Sequence, residues 1–208
     1  MKQENIEKTI NILEENYSEY KCGLNFNSPF ELLIATILSA QCTDERVNKV
    51  TEVLFKKANT PKQILALGED GLKEEIKSCG LANSKAKNII LTCETLLNEY
   101  ASNVPRTMEE LTALNGVGRK TANVVMSNAY GIPAIAVDTH VQRVSNRIGL
   151  AKSKDVLKTE KQLMDNIPKS FWSDAHHWII WHGRKVCLAR KPNCGYCCLK
   201  EVCEKNGV

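Results

Sequence analysis

Five of the nine cysteines fall within the last 22 residues, and four of these, Cys187, Cys194, Cys197 and Cys203, follow the spacing C-x6-C-x2-C-x5-C. Four thiolates this close in sequence can hold a metal, and zinc and an iron–sulfur cluster both accept four cysteines. Zinc ribbons usually carry two short C-x-x-C knuckles whereas this tail has one, and the chemistry alone leaves both metals open. Cys198, directly beside Cys197, competes for the third position. The other cysteines, Cys22, Cys42, Cys79 and Cys93, are scattered and read as small buried hydrophobes of a reducing compartment.

The second stretch able to do chemistry is LNGVGRKTANVV, Leu114 to Val125. Leu111 and Leu114 end a short helix, NGVG turns the chain, and RKTANVVM opens the next helix. Gly116 and Gly118 permit backbone angles other residues resist and let another molecule approach the main chain. The first amides of the second helix then point outward, which makes the turn a cradle for a phosphate. Arg119 adds charge to it. A glycine-linked helical pair is common, so this pattern needs support from elsewhere in the chain.

That support begins with charge. Residues 1–104 carry 12 Lys/Arg against 15 Asp/Glu, and residues 105–208 carry 16 against 9, so the net of +4 comes from the second half. Six of the seven arginines lie there, and arginine suits phosphate recognition.

The elements that must position these groups read as helices throughout. Ile6, Ile10, Leu13 and Tyr17 share one helical face. SPFE at Ser28, TPKQ at Thr60 and TMEE at Thr107 are capping boxes, the first two with proline at the first helical position. Further helices are predicted over 47–55, 72–79, 86–97, 121–126, 139–147, 156–167 and 175–182. Only IPAIAV, Ile132 to Val137, looks extended, and Pro133 within it argues for a connector rather than a strand. The longest apolar run, Leu32 to Leu38, falls far short of a membrane span, and the N-terminal residues do not read as a signal peptide. A cytoplasmic protein is expected, at the nucleoid if bacterial.

LNGVGRKTANVVMSNAYG followed by IAVDTHVQRVSNR resembles the helix-hairpin-helix and Gly/Pro-Asp segment of the base-excision DNA glycosylases, in their endonuclease III branch. The resemblance extends through LLIATILSAQCTDERVN, GLANSKAKNII, HHWIIWHGRKVC and the terminal cysteines. Asn115 stands where the family usually has proline, and a slightly softer hairpin is expected.

The resemblance implies an all-α, two-lobed fold. One barrel-like lobe would span 22–132 and contain the hairpin at about 108–127. The other would join 1–21 to 133–208 and carry a [4Fe-4S] loop over 187–203, with the active site in the cleft between them. It implies a bifunctional DNA glycosylase and AP lyase acting as a monomer on double-stranded DNA with oxidised pyrimidines, such as thymine glycol, or abasic sites. Lys120 would be the nucleophile that forms a Schiff base at C1′, and Asp138 the catalytic carboxylate. An aspartate before a helix is also an ordinary N-cap, and the two roles are compatible. Gln41 would pair with the orphaned base and Leu81 would wedge apart its neighbours. DNA contacts would come from Gly116, Val117, Gly118, Arg119, His140 and Arg143, and from Arg190 and Lys191 on the loop that the cluster staples. By the same resemblance Cys187, Cys194, Cys197 and Cys203 bind the cluster and Cys198 is dispensable. Adenine and mismatch glycosylases share the cluster but generally lack the hairpin lysine, and a non-catalytic DNA binder would not need Lys120 together with Asp138.

Overall fold

Ten α-helices and no strand make up the computed structural model, which describes all residues, 1–208. They are α1 (Gln3–Tyr17), α2 (Pro29–Leu38), α3 (Asp44–Lys57), α4 (Pro61–Ile76), α5 (Ala82–Glu99), α6 (Met108–Ala113), α7 (Arg119–Tyr130), α8 (Thr139–Ile148), α9 (Val156–Asn166) and α10 (Trp172–Lys185). No helix is long and apolar enough to cross a membrane.

Cys22–Gly131 form one unit and Met1–Lys21 with Ile132–Val208 form another. In the Cys22–Gly131 unit, α2 is the axis of the core. Every residue from Phe30 to Leu38 is buried, which is why this stretch is apolar without an amphipathic period. It packs on α3, α5 and α7, while α4 packs on α5 and α6 on α7. The other unit sets α10 against α1 and α8 around Ile6, Ile10, Leu13, Val141, Val144, Ile148, Trp178 and Ile179.

The helix starts follow local chemistry. Ser28 accepts from the Glu31 amide, Thr60 from that of Gln63 and Thr107 from that of Glu110. The returning arm of the first box reaches one residue further than the motif predicts, for Glu31 accepts from the Asn27 amide at 2.7 Å. Thr43 and Asp155 cap α3 and α9 without the reciprocal acid that marks such a start in sequence. The segments predicted as separate helices after Thr60 merge into one run broken at Gly68, whose φ is +69°, and the run ends at Ile76. Lys77–Cys79 continue as a single 3₁₀ turn. IPAIAV is extended and unpaired in any sheet, with Ala134 to Val137 buried.

Burial places two adjacent histidines of α10, His176 and His177, against each other, with ring centroids 4.0 Å apart and the planes tilted by 37°. Burial first, and His176 second, push His177 from 6.5 down to about 3. The folded chain therefore holds this ring neutral at pH values where the unfolded chain protonates it. Stability from this ring is complete above 6.5 and is lost as pH falls towards 3. The steepest slope is about 1.4 kcal/mol per pH unit. Urea unfolding between about pH 7 and about pH 4 should show this fall, and His177→Gln should flatten it.

Candidate active site

The hairpin joining α6 to α7 is built on α5. Thr92 Oγ1 donates to the carbonyl of Asn115 at 2.8 Å, so the first residue of the turn is held through its backbone. Gly116 has φ +75°, and a Cβ added there would meet the Cβ of Asn88 at 2.9 Å. Conformation and crowding both require glycine. Val117 buries its side chain and donates its amide to Leu114 O at 3.2 Å, so it closes the turn and has no amide left to offer.

Gly118 differs from Gly116. Its φ of −92° suits any residue, and an added Cβ would meet nothing within 4 Å. Nothing inside the protein demands a glycine there. What its missing side chain keeps open is the space in front of α7, whose first turn has no side-chain cap. Amides of a first turn lack intrahelical acceptors and favour an anion. Arg119 and Lys120 are the first two residues of this helix and both are exposed.

Asp138 belongs to the other unit and caps α8. Its Oδ1 accepts from the amides of His140 and Val141, both at 2.8 Å, while Oδ2 has no protein donor. The cap thus fixes the carboxylate through one oxygen and leaves the other available for chemistry. His140 is half-buried, and burial pushes its ring below the usual range, with Asp138 opposing and Arg143 and Arg184 reinforcing.

Arg143 is committed inside its own unit. It donates to Gly183 O at 3.0 Å, to Cys187 O at 3.1 Å and to His140 Nδ1 at 3.2 Å, and thereby ties α8 to the end of α10 and the start of the cysteine loop. Arg147, which sequence spacing does not single out, does the same one turn on. Its guanidinium donates to Leu188 O at 2.7 Å and Ala189 O at 3.1 Å. With the loop ends clamped and Asn193 N donating to Val186 O at 3.0 Å, Arg190 and Lys191 stand exposed at its tip.

Cys187, Cys194, Cys197 and Cys203 line one cavity with Arg147, Ile148, His182 and Leu199, and Cys198 does not line it. N–H groups face several of the sulfurs. Arg147 Nη1 lies 3.6 Å from Cys187 Sγ, His182 Nε2 lies 3.5 Å from Cys197 Sγ, and the Lys205 amide donates to Cys203 Sγ at 3.3 Å. The other His182 nitrogen shares a 2.9 Å hydrogen bond with the buried Tyr17 hydroxyl, which sets the ring from α1. Donors aimed at sulfur suit thiolates held by a metal. A hydrogen bond from the Cys197 thiol pushes Cys197 up to about 12 and draws Cys198 down to about 7. Acidity therefore favours Cys198, and position, facing the cavity, favours Cys197.

Gln41 and Leu81 lie in the Cys22–Gly131 unit and both are exposed, Leu81 at 54 %. A large apolar side chain presented to water at the start of α5 does not serve the core. These two positions are among the few non-glycine residues with positive φ, 54° and 51°.

A helical hairpin with an open, glycine-bordered helix start, a capped aspartate opening α8 and a four-cysteine loop define a class, and the comparison with known proteins agrees. The chain belongs to the HhH-GPD superfamily of base excision DNA repair proteins, which it matches over residues 34–169. It is 59 % identical over 181 residues to Endonuclease III of Haemophilus influenzae, covering 87 % of this chain and 86 % of that one. Its fold is similar to that of a non-covalent Endonuclease III–DNA complex, with TM-score 0.93, 47 % identity and 99 % and 96 % of the two chains covered. The agreement is equal for a trapped Endonuclease III–DNA covalent intermediate, with TM-score 0.93, 47 % identity and coverage of 99 % and 97 %. The protein is an enzyme of base excision repair, a DNA glycosylase and AP lyase.

Proposed function

We propose that this enzyme removes oxidised pyrimidines, thymine glycol among them, from double-stranded DNA and cuts the strand 3′ to the resulting abasic site, with Lys120 as nucleophile. The observation that carries this reading is the exposed Lys120 at the second position of an uncapped helix opened by Gly118. A protein 47 % identical to this chain has been trapped as a covalent intermediate with DNA, which requires a nucleophile on the enzyme.

The Lys120 amine attacks C1′ and the bond from C1′ to the base breaks, the base leaving with its electron pair and taking up a proton. Loss of protons from the nitrogen and opening of the sugar give an imine between Nζ and C1′. A base then removes a C2′ proton, the C3′–O bond breaks, and the 3′ strand leaves with its phosphate. Asp138 stabilises positive charge on the sugar through Oδ2, its other oxygen being held by the cap. Gly118 and Arg119 hold a backbone phosphate, and Arg190 and Lys191 hold another. Gln41 and Leu81 occupy the stack when the nucleotide leaves it. Arg143 and His140 shape the entrance of α8 and the loop beside it. The enzyme acts as a monomer in the cytoplasm, at the nucleoid if the cell is bacterial.

Cys187, Cys194, Cys197 and Cys203, which line one cavity, would hold a [4Fe-4S] cluster, a group that accepts four cysteine ligands. Such a group supplies a cross-link for the loop and a capacity for electron transfer. The chain's own part is to hold that loop with Arg143 and Arg147 so that Arg190 and Lys191 face outward.

The substrate reading is tested by base release and strand cutting on duplexes with thymine glycol, an abasic site or no lesion. Cutting at the abasic site without release of thymine glycol would confine the enzyme to lyase chemistry and overturn the substrate assignment. The glycines separate fold from binding. Gly118→Ala should keep the thermal midpoint within about 1 °C of wild type and weaken DNA binding about tenfold. Gly116→Ala should destabilise by about 1–2 kcal/mol, because it forces alanine into the left-handed region against Asn88.

A further inference from the structure

The ammonium of Lys85, on the first turn of α5, is buried, with the residue 3 % exposed, and makes no ion pair. It donates to Leu38 O at 2.8 Å and to Cys79 O at 2.9 Å. Each carbonyl is the last of a helical segment, Leu38 of α2 and Cys79 of the 3₁₀ turn, and neither accepts another hydrogen bond. Helix ends carry partial negative charge, and two of them on one nitrogen replace the missing carboxylate. Burying a cation in this way is still costly, and an apolar side chain would avoid that cost.

What the cation gains is geometry. Leu38 precedes Gln41 by three residues and Cys79 precedes Leu81 by two. The Lys85 amide also donates to Leu81 O at 3.0 Å, which ties the start of α5 to the Leu81 loop. Gln41 and Leu81 both sit in left-handed backbone, which is strained for a residue with a side chain and persists only where the surroundings determine it.

We propose that Lys85 is a positioning residue that locks the Gln41 loop and the Leu81 loop into one rigid pair, so that both side chains enter the DNA stack together. The proposal rests on the reading of Gln41 and Leu81 given above. Lys85 touches no DNA in this role; it acts through the two carbonyls.

The test compares two substrates on the full-length enzyme, isolated with its cysteine loop intact. A thymine glycol duplex requires extrusion of a nucleotide, and a single-stranded oligonucleotide with an abasic site does not. Lys85→Met should slow excision from the duplex about a hundredfold while single-strand cleavage changes less than about threefold. A fluorescent base analogue opposite the lesion should show loss of unstacking in the same variant. Added to the double variant Gln41→Ala/Leu81→Ala, Lys85→Met should cost little more, because both residues it positions are already gone. Lys85→Gln, which keeps N–H donors for the carbonyls, should recover part of the duplex rate, and it carries the same comparisons if Lys85→Met does not fold. Equal loss on both substrates would overturn the proposal, as would an unchanged duplex rate while Leu81→Ala loses it; either leaves the reading of Gln41 and Leu81 standing. If Leu81→Ala and Gln41→Ala themselves keep the duplex to single-strand ratio, that reading fails and takes the proposal with it.

Discussion

Lys120→Ala should abolish the covalent adduct that borohydride traps between enzyme and a thymine glycol duplex, and should lower strand cutting by at least about a thousandfold. The change removes an exposed side chain at a helix start, where alanine is fully compatible with helix, so folding and DNA binding should persist. Loss of the adduct with binding retained identifies the nucleophile. An adduct of wild-type yield in Lys120→Ala would assign the chemistry to another amine. Asp138→Asn makes a sharper companion than alanine. Asparagine caps helices as well as aspartate does, so the bonds to the His140 and Val141 amides survive and only the charge is lost. A large fall in base release with an unchanged thermal midpoint then belongs to Oδ2 chemistry and not to the cap.

Cys197→Ser should lose bound iron and the visible absorption of a cluster, while Cys198→Ser should retain both. The two sulfurs are neighbours in sequence, but only Cys197 lines the cavity shared with Cys187, Cys194 and Cys203. Loss of the cross-link frees the Cys187–Cys194 loop, so Cys197→Ser should also weaken DNA binding through Arg190 and Lys191, with a shallower dependence on salt. Iron content and absorption decide the ligand irrespective of activity. The opposite pattern, iron lost from Cys198→Ser and kept in Cys197→Ser, would mean that the more acidic thiol turns into the cavity when metal binds.

Much of this protein was legible before any tertiary contact was considered. Helix starts at Ser28, Thr60 and Thr107 depend on a side chain reaching an amide three residues away, and a sequence carries that information directly. The same is true of the glycine turn before Lys120, of Asp138 ahead of α8 and of the cysteine spacing. The merged run through Gly68 and the caps at Thr43 and Asp155 escaped because their signals are incomplete locally and are settled by packing. Residues that tie distant segments together were not legible in that role. Lys85 reaches back 47 residues to Leu38, Arg143 forward 44 to Cys187, and His182 meets Tyr17 across 165. In sequence they are one lysine among many, an arginine in a basic half and a histidine in an aromatic helix. Whether such a group is solvated or buried against a distant carbonyl depends on which segments the hydrophobic core brings together. The chain's local chemistry therefore determined its helices and reactive groups, and tertiary packing alone decided which polar side chains fix those groups, because burial is a property of the assembled core.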